Sequence, residues 1–414
     1  LVKFFQTPFI KDKEVALQLL RSWFGRKMLN EVSDLVRLDE DTSGATVATT
    51  LESLLNKKND VTLLDLVSSL PAEVIHLDLD GMVKVANSWR KELKRQQKLL
   101  SNLADLSVKP STQVQQKYLS EKLEESIYEV LSLPVKHRKE PLKIDIWNPS
   151  ERDEEKTSWI VFMPGLGGDK SHFHWLARSL SHHGWPVIIL DHPGSDSDSL
   201  QALLDGRLPA PGLDVIPKRL SDLQSVLDAR EEGTLNVTGS NLILMGHSLG
   251  SLTAFIASGA QPLPGLEKRC KKAFDDLSLT NLSEILQCQF VDFTLPKQAK
   301  INDLKAIVAI NSFGSLLWPK TSSMQINVPV LFTGGTFDLI TPAITEQLGL
   351  FLAVRNNPLS RILLIEGASH FSPIRVKGQL NQSTGKDVFQ IGDSLVGFHP
   401  LSVQSLLAIQ IINF

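Results

Sequence analysis

The sequence predicts an α/β protein, a mostly parallel doubly wound sheet preceded by a smaller helical domain. Three observations predict it. From about residue 126 onward, short apolar runs recur between helical stretches, the pattern of buried parallel strands joined by crossover helices. Ahead of residue 125, apolar residues fall instead at helical spacing, as in Val15, Leu19, Leu20 and Phe24 and again in Leu51, Leu54 and Leu55. The polar stretch from Lys109 to Glu125 separates the two patterns, so domains are expected at 1–125 and 126–414.

In the first domain, Ser88 to Leu103 sets Trp89, Leu93, Leu100 and Leu103 against Arg90, Lys91, Lys94, Arg95 and Lys98. This reads as a solvated helix packing one face on its neighbours; a membrane-surface helix is the alternative. In the second domain, strands are expected at Leu142–Trp147, Ser158–Met163, Pro186–Leu190, Asn241–Met245, Ala306–Ile310, Val328–Thr333 and Arg361–Ile365. Helices are expected at Ser171–His182, Lys218–Arg230, Leu249–Ser258, Pro342–Val354 and Leu401–Ile412. The segment from Gln261 to Lys300 is long, charged and mixed, and it breaks the alternation, so it reads as an insertion.

Bulk properties exclude some classes of function. With 42% hydrophobic and 21% charged residues, the composition is that of a soluble globular protein. A formal charge of −3 gives no reason to expect nucleic acid as a partner. No apolar stretch approaches the length of a membrane span, and nothing indicates peripheral membrane contact. The chain begins at Leu1, which leaves the compartment open between cytoplasm and export after signal removal. Cys270 and Cys288 share one polar segment; two isolated thiols are the expected state, with pairing the alternative in an oxidising compartment. Asn-x-Ser/Thr triplets start at Asn236, Asn281 and Asn381 and decide nothing by themselves.

The chemistry concentrates in Gly246-His247-Ser248-Leu249-Gly250, which follows an apolar strand and precedes a helix. That context makes G-x-S-x-G a nucleophile elbow: a strained turn presents the serine hydroxyl, and small flanking residues avoid the neighbouring backbone. A serine hydroxyl is a poor nucleophile near neutral pH and needs a base. Downstream, Asp338 and His370 each follow an apolar strand, in the chain order serine, acid, histidine and at the strand ends where an open α/β sheet builds its site. His370 is therefore assigned as base and Asp338 as its orienting acid, with Glu366 a weaker rival for the acid. The oxyanion donors expected are the backbone N–H groups of Leu249 and of Leu166, the latter in the loop Met163-Pro164-Gly165-Leu166-Gly167-Gly168. No Lys-Ser/Thr completes a phosphate-binding loop there. His172, His174 and His182-His183 are expected to be solvated or capping, since no third ligand at metal-binding spacing accompanies them. His192 and His247 read as structural supports of the pocket.

Together these motifs resemble the α/β-hydrolase superfamily, and more narrowly its platelet-activating-factor-acetylhydrolase-like branch found among cyanobacterial hydrolases. The resemblance is carried by Pro164-Gly-Leu-Gly-Gly168, Asp191-His-Pro-Gly-Ser195, Gly246-His-Ser-Leu-Gly250, Thr336-Phe-Asp-Leu-Ile-Thr-Pro342 and Gly367-Ala-Ser-His-Phe371. Residues Leu63 to Pro71, followed by Ile75–Leu79, are similar to a helical domain of unknown function often fused ahead of such hydrolases. The resemblance implies hydrolysis of carboxylic esters, of a small-molecule or lipid substrate, without metal or organic cofactor. By motif position it assigns Ser248 as nucleophile, Asp338 as acid and His370 as base. Two departures stand out. Pro164 replaces the histidine that many esterases carry before the oxyanion glycine, and Ser251 follows Gly250 where relatives often have a second glycine.

Apolar residues crowd the triad in sequence: Leu166, Phe173, Phe313, Leu316, Leu317, Trp318, Phe337, Leu339 and Phe371. Some belong to the core; those on loops are expected to line an acyl pocket, and Gly165, Phe173, Trp318 and Phe371 are the substrate contacts expected first. The connection between the Ala306 and Val328 strands is short, so the insertion or the N-terminal domain is expected to cover the site. The same triad also serves thioesterases, acyltransferases and amidases, and a non-catalytic binding protein on this fold is the remaining alternative.

Overall fold

A computed structural model of the chain describes residues 8–10, 17, 36–38, 45–58, 60–72, 74–106, 127–151, 157–204, 215–275, 281, 283–292, 295, 301–354, 357–374 and 399–414. Val15, Leu19, Leu20, Phe24, the stretch Lys109–Glu125 and Asn381 lie outside these residues. The chain divides into two compact units, Leu1–Gln97 with Ser199–Pro211, and Lys98–Asp198 with Gly212–Phe414.

In the first unit, strand β1 (Pro8–Ile10) pairs antiparallel with β3 (Val61–Thr62), and β2 (Val36–Leu38) with β4 (Ile75–Leu77). These short ladders depart from the purely helical reading, because runs of two or three paired residues leave no periodic signature. Helix α1 (Ala45–Lys57) buries Val47, Leu51 and Leu55, an i, i+4, i+8 stripe; Leu51 and Leu55 pack with Val61 and Leu17, and Val47 with Leu38 and Leu70. Helix α2 (Leu63–Ser69) begins on a capping box in which Thr62 and Asp65 satisfy each other's backbone N–H. The basic amphipathic segment lies in α3, which is longer than expected, Leu79–Asn102.

The second unit is built on an eight-stranded sheet in the order β12-β11-β10-β9-β7-β8-β6-β5. Its strands are β5 (Ile127–Leu133), β6 (Leu142–Asn148), β7 (Ser158–Met163), β8 (Val187–Leu190), β9 (Asn241–His247), β10 (Leu304–Ile310), β11 (Val330–Gly335) and β12 (Arg361–Ile365). β6 runs antiparallel to both neighbours and every other pairing is parallel. The doubly wound, mostly parallel α/β architecture is thus present. β5 was not expected; it is an edge strand whose residues Ile127 to Val130 are exposed, so it lacks the buried apolar run that marks the others.

Alternation along the strands divides the apolar residues between two cores. Val161 and Met163, Leu242 and Leu244, and Ile307 and Ala309 face one side, where α6 (Val215–Glu231), α7 (Leu249–Ala257) and α10 (Gln347–Ala353) contribute Leu220, Phe255 and Leu350. Ile160 and Phe162, Met245, and Val308 and Ile310 face the other, against Leu176 and Leu180 of α4 (His174–His182) and Ala408 and Ile411 of α11 (Pro400–Ile412). Burial on both faces explains why these strands read as unbroken apolar runs. The short α5 (Ser197–Leu204) was not foreseen, and α10 starts later than the expected Pro342 because the preceding turns carry Glu346 to another task.

Glu346 is fully buried and accepts from Asn281 Nδ2 (2.6 Å), Ser283 Oγ (3.0 Å), Gln287 Nε2 (3.0 Å), Ser315 Oγ (2.7 Å) and the backbone N–H groups of Gly314 (2.8 Å) and Ser315 (2.9 Å). It thereby ties the insertion to the loop after β10. The insertion carries α8 (Leu266–Asp275) and α9 (Ser283–Cys288), and Cys270 is disulfide-bonded to Cys288 with Cα atoms 5.6 Å apart. This corrects the expectation of isolated thiols: folding of the intervening 18-residue separation back on itself brings the pair together, which spacing alone does not reveal. Asn281 is likewise buried, its amide committed to Glu346, so that triplet is not available as a surface acceptor. Because every neighbour of the Glu346 carboxylate is a donor, Glu346→Gln must turn an amide N–H toward other donors. We expect a loss of about 2–4 kcal/mol in urea unfolding; an unchanged midpoint would mean the network is not closed in solution.

Candidate active site

Strand register places the site. The last residues of five neighbouring strands, Met163, His247, Ile310, Gly335 and Ile365, end at one edge of the sheet, and the loop that follows each carries a chemistry-bearing group.

Ser248 stands between β9 and α7 with φ 53° and ψ −117°, a strained conformation for a residue with a side chain. Its N–H donates to the Ile310 carbonyl at 2.9 Å, pinning the turn to β10. A Cβ at Gly246 would run into the Gly250 backbone, and one at Gly250 into the Met163 carbonyl, so both glycines are required by close approach. Ser251, noted as a departure from a second glycine, donates from Oγ to the Gly246 carbonyl at 2.6 Å and so satisfies the turn from inside α7.

Asp338 is buried and accepts five hydrogen bonds. Oδ1 takes the N–H groups of Ile340 (2.9 Å) and Thr341 (2.7 Å); Oδ2 takes Asn311 Nδ2 (2.7 Å), Thr341 Oγ1 (2.6 Å) and His370 Nδ1 (2.9 Å). Burial opposes ionisation here, yet the His370 charge and the donors from His370, Thr341 and Asn311 hold the carboxyl below its ordinary pKa. With Nδ1 committed to a carboxylate, the His370 imidazole is left with Nε2 to exchange a proton. The acid and histidine loops are stitched together: Thr336 N–H donates to the Ile365 carbonyl (3.1 Å), Phe337 N–H to the Ala368 carbonyl (2.8 Å), and Gly367 N–H to Thr336 Oγ1 (2.9 Å). Glu366 faces solvent, away from this pairing.

His247, the residue before Ser248, brings the imidazole to the elbow. Its ring lies 4.8 Å from that of His370, and its Nε2–H donates to the His370 carbonyl at 3.0 Å. Burial, and then the His370 charge, push the His247 pKa down to about 3, so this ring is neutral and acts as a donor. Phe173 packs beneath it, ring centroids 5.6 Å apart. Phe173 and Trp318 are fully buried, and Trp318 donates Nε1–H to the Gln261 carbonyl at 2.8 Å. Both rings fill core positions rather than open surface, which differs from their expected place as first substrate contacts. Phe313 and Leu317 are also core, whereas Phe337 and Leu339, on either side of the acid, are 48% and 45% exposed, and Leu166 and Phe371 are half-buried.

The expected oxyanion loop lies against Ser248. A Cβ on Gly165 would stand 3.0 Å from Ser248 Cβ and 3.0 Å from His247 Nδ1, so the glycine permits this approach. Among the described residues, neither the Leu166 N–H nor the Leu249 N–H donates to a protein acceptor. Of the other histidines, His172 Nδ1 accepts the Asp169 N–H at 3.1 Å and His174 Nε2 lies 2.6 Å from Asp145. Both serve capping and pairing roles.

Sequence reasoning missed the groups that brace these parts. Asn311, at φ 47°, holds the acid from the loop after β10, and Thr341 holds it from the opposite side. A second missed cluster centres on Asp222, whose buried carboxylate bonds His137 Nε2 (2.6 Å), Arg138 Nε (2.7 Å) and Nη2 (2.8 Å), and His192 Nδ1 (2.9 Å). The Asp-His-Pro-Gly-Ser motif signalled His192, but nothing in the sequence linked it to residue 222.

A family model described as an alpha/beta hydrolase of unknown function (DUF1400) matches residues 1–78. Over 229 residues the chain is 21% identical to Cutinase 2 of Thermobifida cellulosilytica, covering 54% of this chain and 63% of that one. It is 23% identical over 229 residues to Cutinase est2 of Thermobifida alba, covering 54% and 55%. The match thus spans between about half and under two-thirds of the length of these curated relatives. Among solved structures, a dienelactone hydrolase from Anabaena variabilis ATCC 29413 aligns over 70% of this chain and 99% of its own at 16% identity, with a TM-score of 0.41. A putative dienelactone hydrolase from Klebsiella pneumoniae subsp. pneumoniae MGH 78578 aligns over 64% and 96% at 17% identity, with a TM-score of 0.40.

Proposed function

For this chain of the α/β-hydrolase superfamily, we propose a serine hydrolase that cleaves carboxylic esters of apolar acyl groups through an acyl-enzyme. The observation that carries the proposal is a strained, strand-to-helix Ser248 whose neighbour His247 packs against an imidazole that Asp338 orients.

In this reading Ser248 Oγ attacks the acyl carbonyl carbon while His370 Nε2 takes its proton. The carbonyl oxygen becomes an oxyanion held by the N–H groups of Leu166 and Leu249. Collapse of the tetrahedral intermediate breaks the ester C–O bond, and His370 returns the proton to the departing alkoxide. Water, deprotonated by the same imidazole, then releases the acid and restores the serine. The carboxylate of Asp338 stays ionised throughout, as its five donors favour. Exposed Phe337 and Leu339 beside the acid, with half-buried Leu166 and Phe371, supply an apolar surface for the acyl group. The cutinase names of the curated relatives agree with ester cleavage. The Cys270–Cys288 bridge favours maturation in an oxidising compartment.

The test is labelling with a fluorophosphonate, followed by turnover of p-nitrophenyl esters from acetyl to long acyl. Wild type should label and turn over, and Ser248→Ala should lose both. A folded wild type that neither labels nor hydrolyses any ester of the series would overturn the proposal; turnover confined to thioesters or amides would redirect it.

A further inference from the structure

We infer that Arg219, remote from the triad in sequence, is a positioning residue that clamps the oxyanion loop through the Pro164 carbonyl. The inference rests on the serine-hydrolase reading and deepens it.

Arg219 lies on α6 and is 1% exposed, one of the largest wholly buried side chains of the chain. An arginine is seldom so buried unless its donors are used, and here the fork reaches three separate segments. Nε donates to Thr253 Oγ1 at 3.0 Å, Nη1 to Ser195 Oγ at 2.8 Å, and Nη2 to the Pro164 carbonyl. Each acceptor bears on the oxyanion donors. Thr253 Oγ1 itself donates to the Leu249 carbonyl at 2.8 Å, bracing the first turn of α7. The Ser195 carbonyl receives the Gly167 N–H at 2.7 Å. Pro164 directly precedes Gly165, which lies against Ser248.

Planarity of the peptide makes the clamp directional. The C=O and N–H of one peptide unit point opposite ways, so fixing the Pro164 carbonyl fixes the direction of the Gly165 N–H. The Gly165 carbonyl is held in turn by the Gly168 N–H at 3.1 Å, which sets the direction of the Leu166 N–H. With both carbonyls anchored on the far side, the donors of this loop are aimed before substrate arrives, which is what electrostatic preorganisation requires. Burial pulls the Arg219 pKa down to about 9 against the raising charges of Asp222 and Asp196, so the side chain is cationic at neutral pH. All three of its hydrogen-bond acceptors are neutral oxygens, so its fork is spent on holding these segments rather than on an ion pair.

Lysine cannot reproduce a three-way fork, so Arg219→Lys isolates the clamp from the charge. In the full chain, with the p-nitrophenyl ester that wild type turns over best, we expect Arg219→Lys to lower kcat about 10- to 100-fold with KM within about twofold. Affinity for a trifluoromethyl ketone bearing the same acyl group, which mimics the oxyanion, should fall by the same factor as kcat. The acid limb of the pH profile should stay in place, because Arg219 makes no bond to His370 or Asp338. Ser195→Ala, which deletes the hydroxyl that accepts from Arg219 and donates to the His192 carbonyl at 3.2 Å, should give a loss of about 3- to 10-fold in the same parameters. Unchanged kcat in Arg219→Lys, a kcat loss without a matching loss of ketone affinity, or a shifted acid limb overturns the clamp. If Arg219→Lys fails to fold, unchanged kcat in Ser195→Ala overturns it, and the paired loss of kcat and ketone affinity there upholds it. A wild type that neither labels nor turns over removes the hydrolase reading and the clamp together, whereas an active wild type with unmoved variants removes the clamp alone.

Discussion

His370→Ala is expected to lower kcat by about 10⁴- to 10⁶-fold and to abolish fluorophosphonate labelling, with the fold retained. The imidazole is held at Nδ1 by Asp338, and under the proposed mechanism its removal takes away the group that both accepts and returns the serine proton. The fold should survive because the variant deletes a ring at the sheet edge and leaves Asp338 four other donors, from Asn311, Ile340 and Thr341. Asp338→Ala would be a poorer experiment, since it strands those donors in a buried site and lowers stability as well as rate. Groups that act as one unit are strongly non-additive. The double variant Ser248→Ala with His370→Ala should therefore be about as inactive as either single one. Retention of more than about one-hundredth of wild-type kcat by His370→Ala would place the base elsewhere.

The second large effect expected is acid lability. His192 is buried; burial, then the charge of Arg219, push its pKa down to about 4. Its Nδ1–H serves the Asp222 carboxylate while Nε2 is buried with no partner among the described residues, so a second proton would put an N–H in the core with no acceptor among them. His247 titrates lower still, at about 3. Both rings gain protons near pH 6.5 once unfolded. A histidine whose folded pKa is depressed favours the unfolded state as pH falls below its unfolded value, so stability should drop from about pH 6.5 toward pH 4. Asp222 acts in the same direction further down. Burial raises its pKa, but bonds from His192 and Arg138 win and hold it below the ordinary value. Its contribution is complete above about pH 4 and is lost as pH falls through its folded pKa. We expect urea unfolding to lose several kcal/mol between pH 7 and pH 4, with His192→Asn, which keeps a donor for Asp222, flattening the upper part of that slope. A stability that stays level across the interval would show that neither ring is buried neutral.

How far the sequence could be read follows from range. The strands from Leu142 to Ile365 were legible because burial on both faces leaves apolar runs, and the elbow because its glycines answer contacts within a few residues. The pairing of Asp338 with His370 was legible through chain order and position after a strand. β5 was not, since an exposed edge lacks the pattern. The Cys270–Cys288 bridge, the Glu346 network and the Asp222 cluster join residues whose spacing carries no period, and only the folded chain brings them together. Trp318 marks the opposite limit: it follows β10 within a few residues, yet its ring is buried in the core, which nearness in sequence does not reveal.

The strand order has a consequence for biosynthesis. β7 lies in the middle of the sheet but must wait for β9, and β9 for β10, before either is covered on both edges. The carboxylate and imidazole arrive only with β11 and β12, and α11 packs against Ala368 beside the histidine. A ribosome-bound polypeptide therefore exposes Ser248 before Asp338 and His370 have been made, so the proposed site cannot assemble until β11, β12 and the loops after them have emerged.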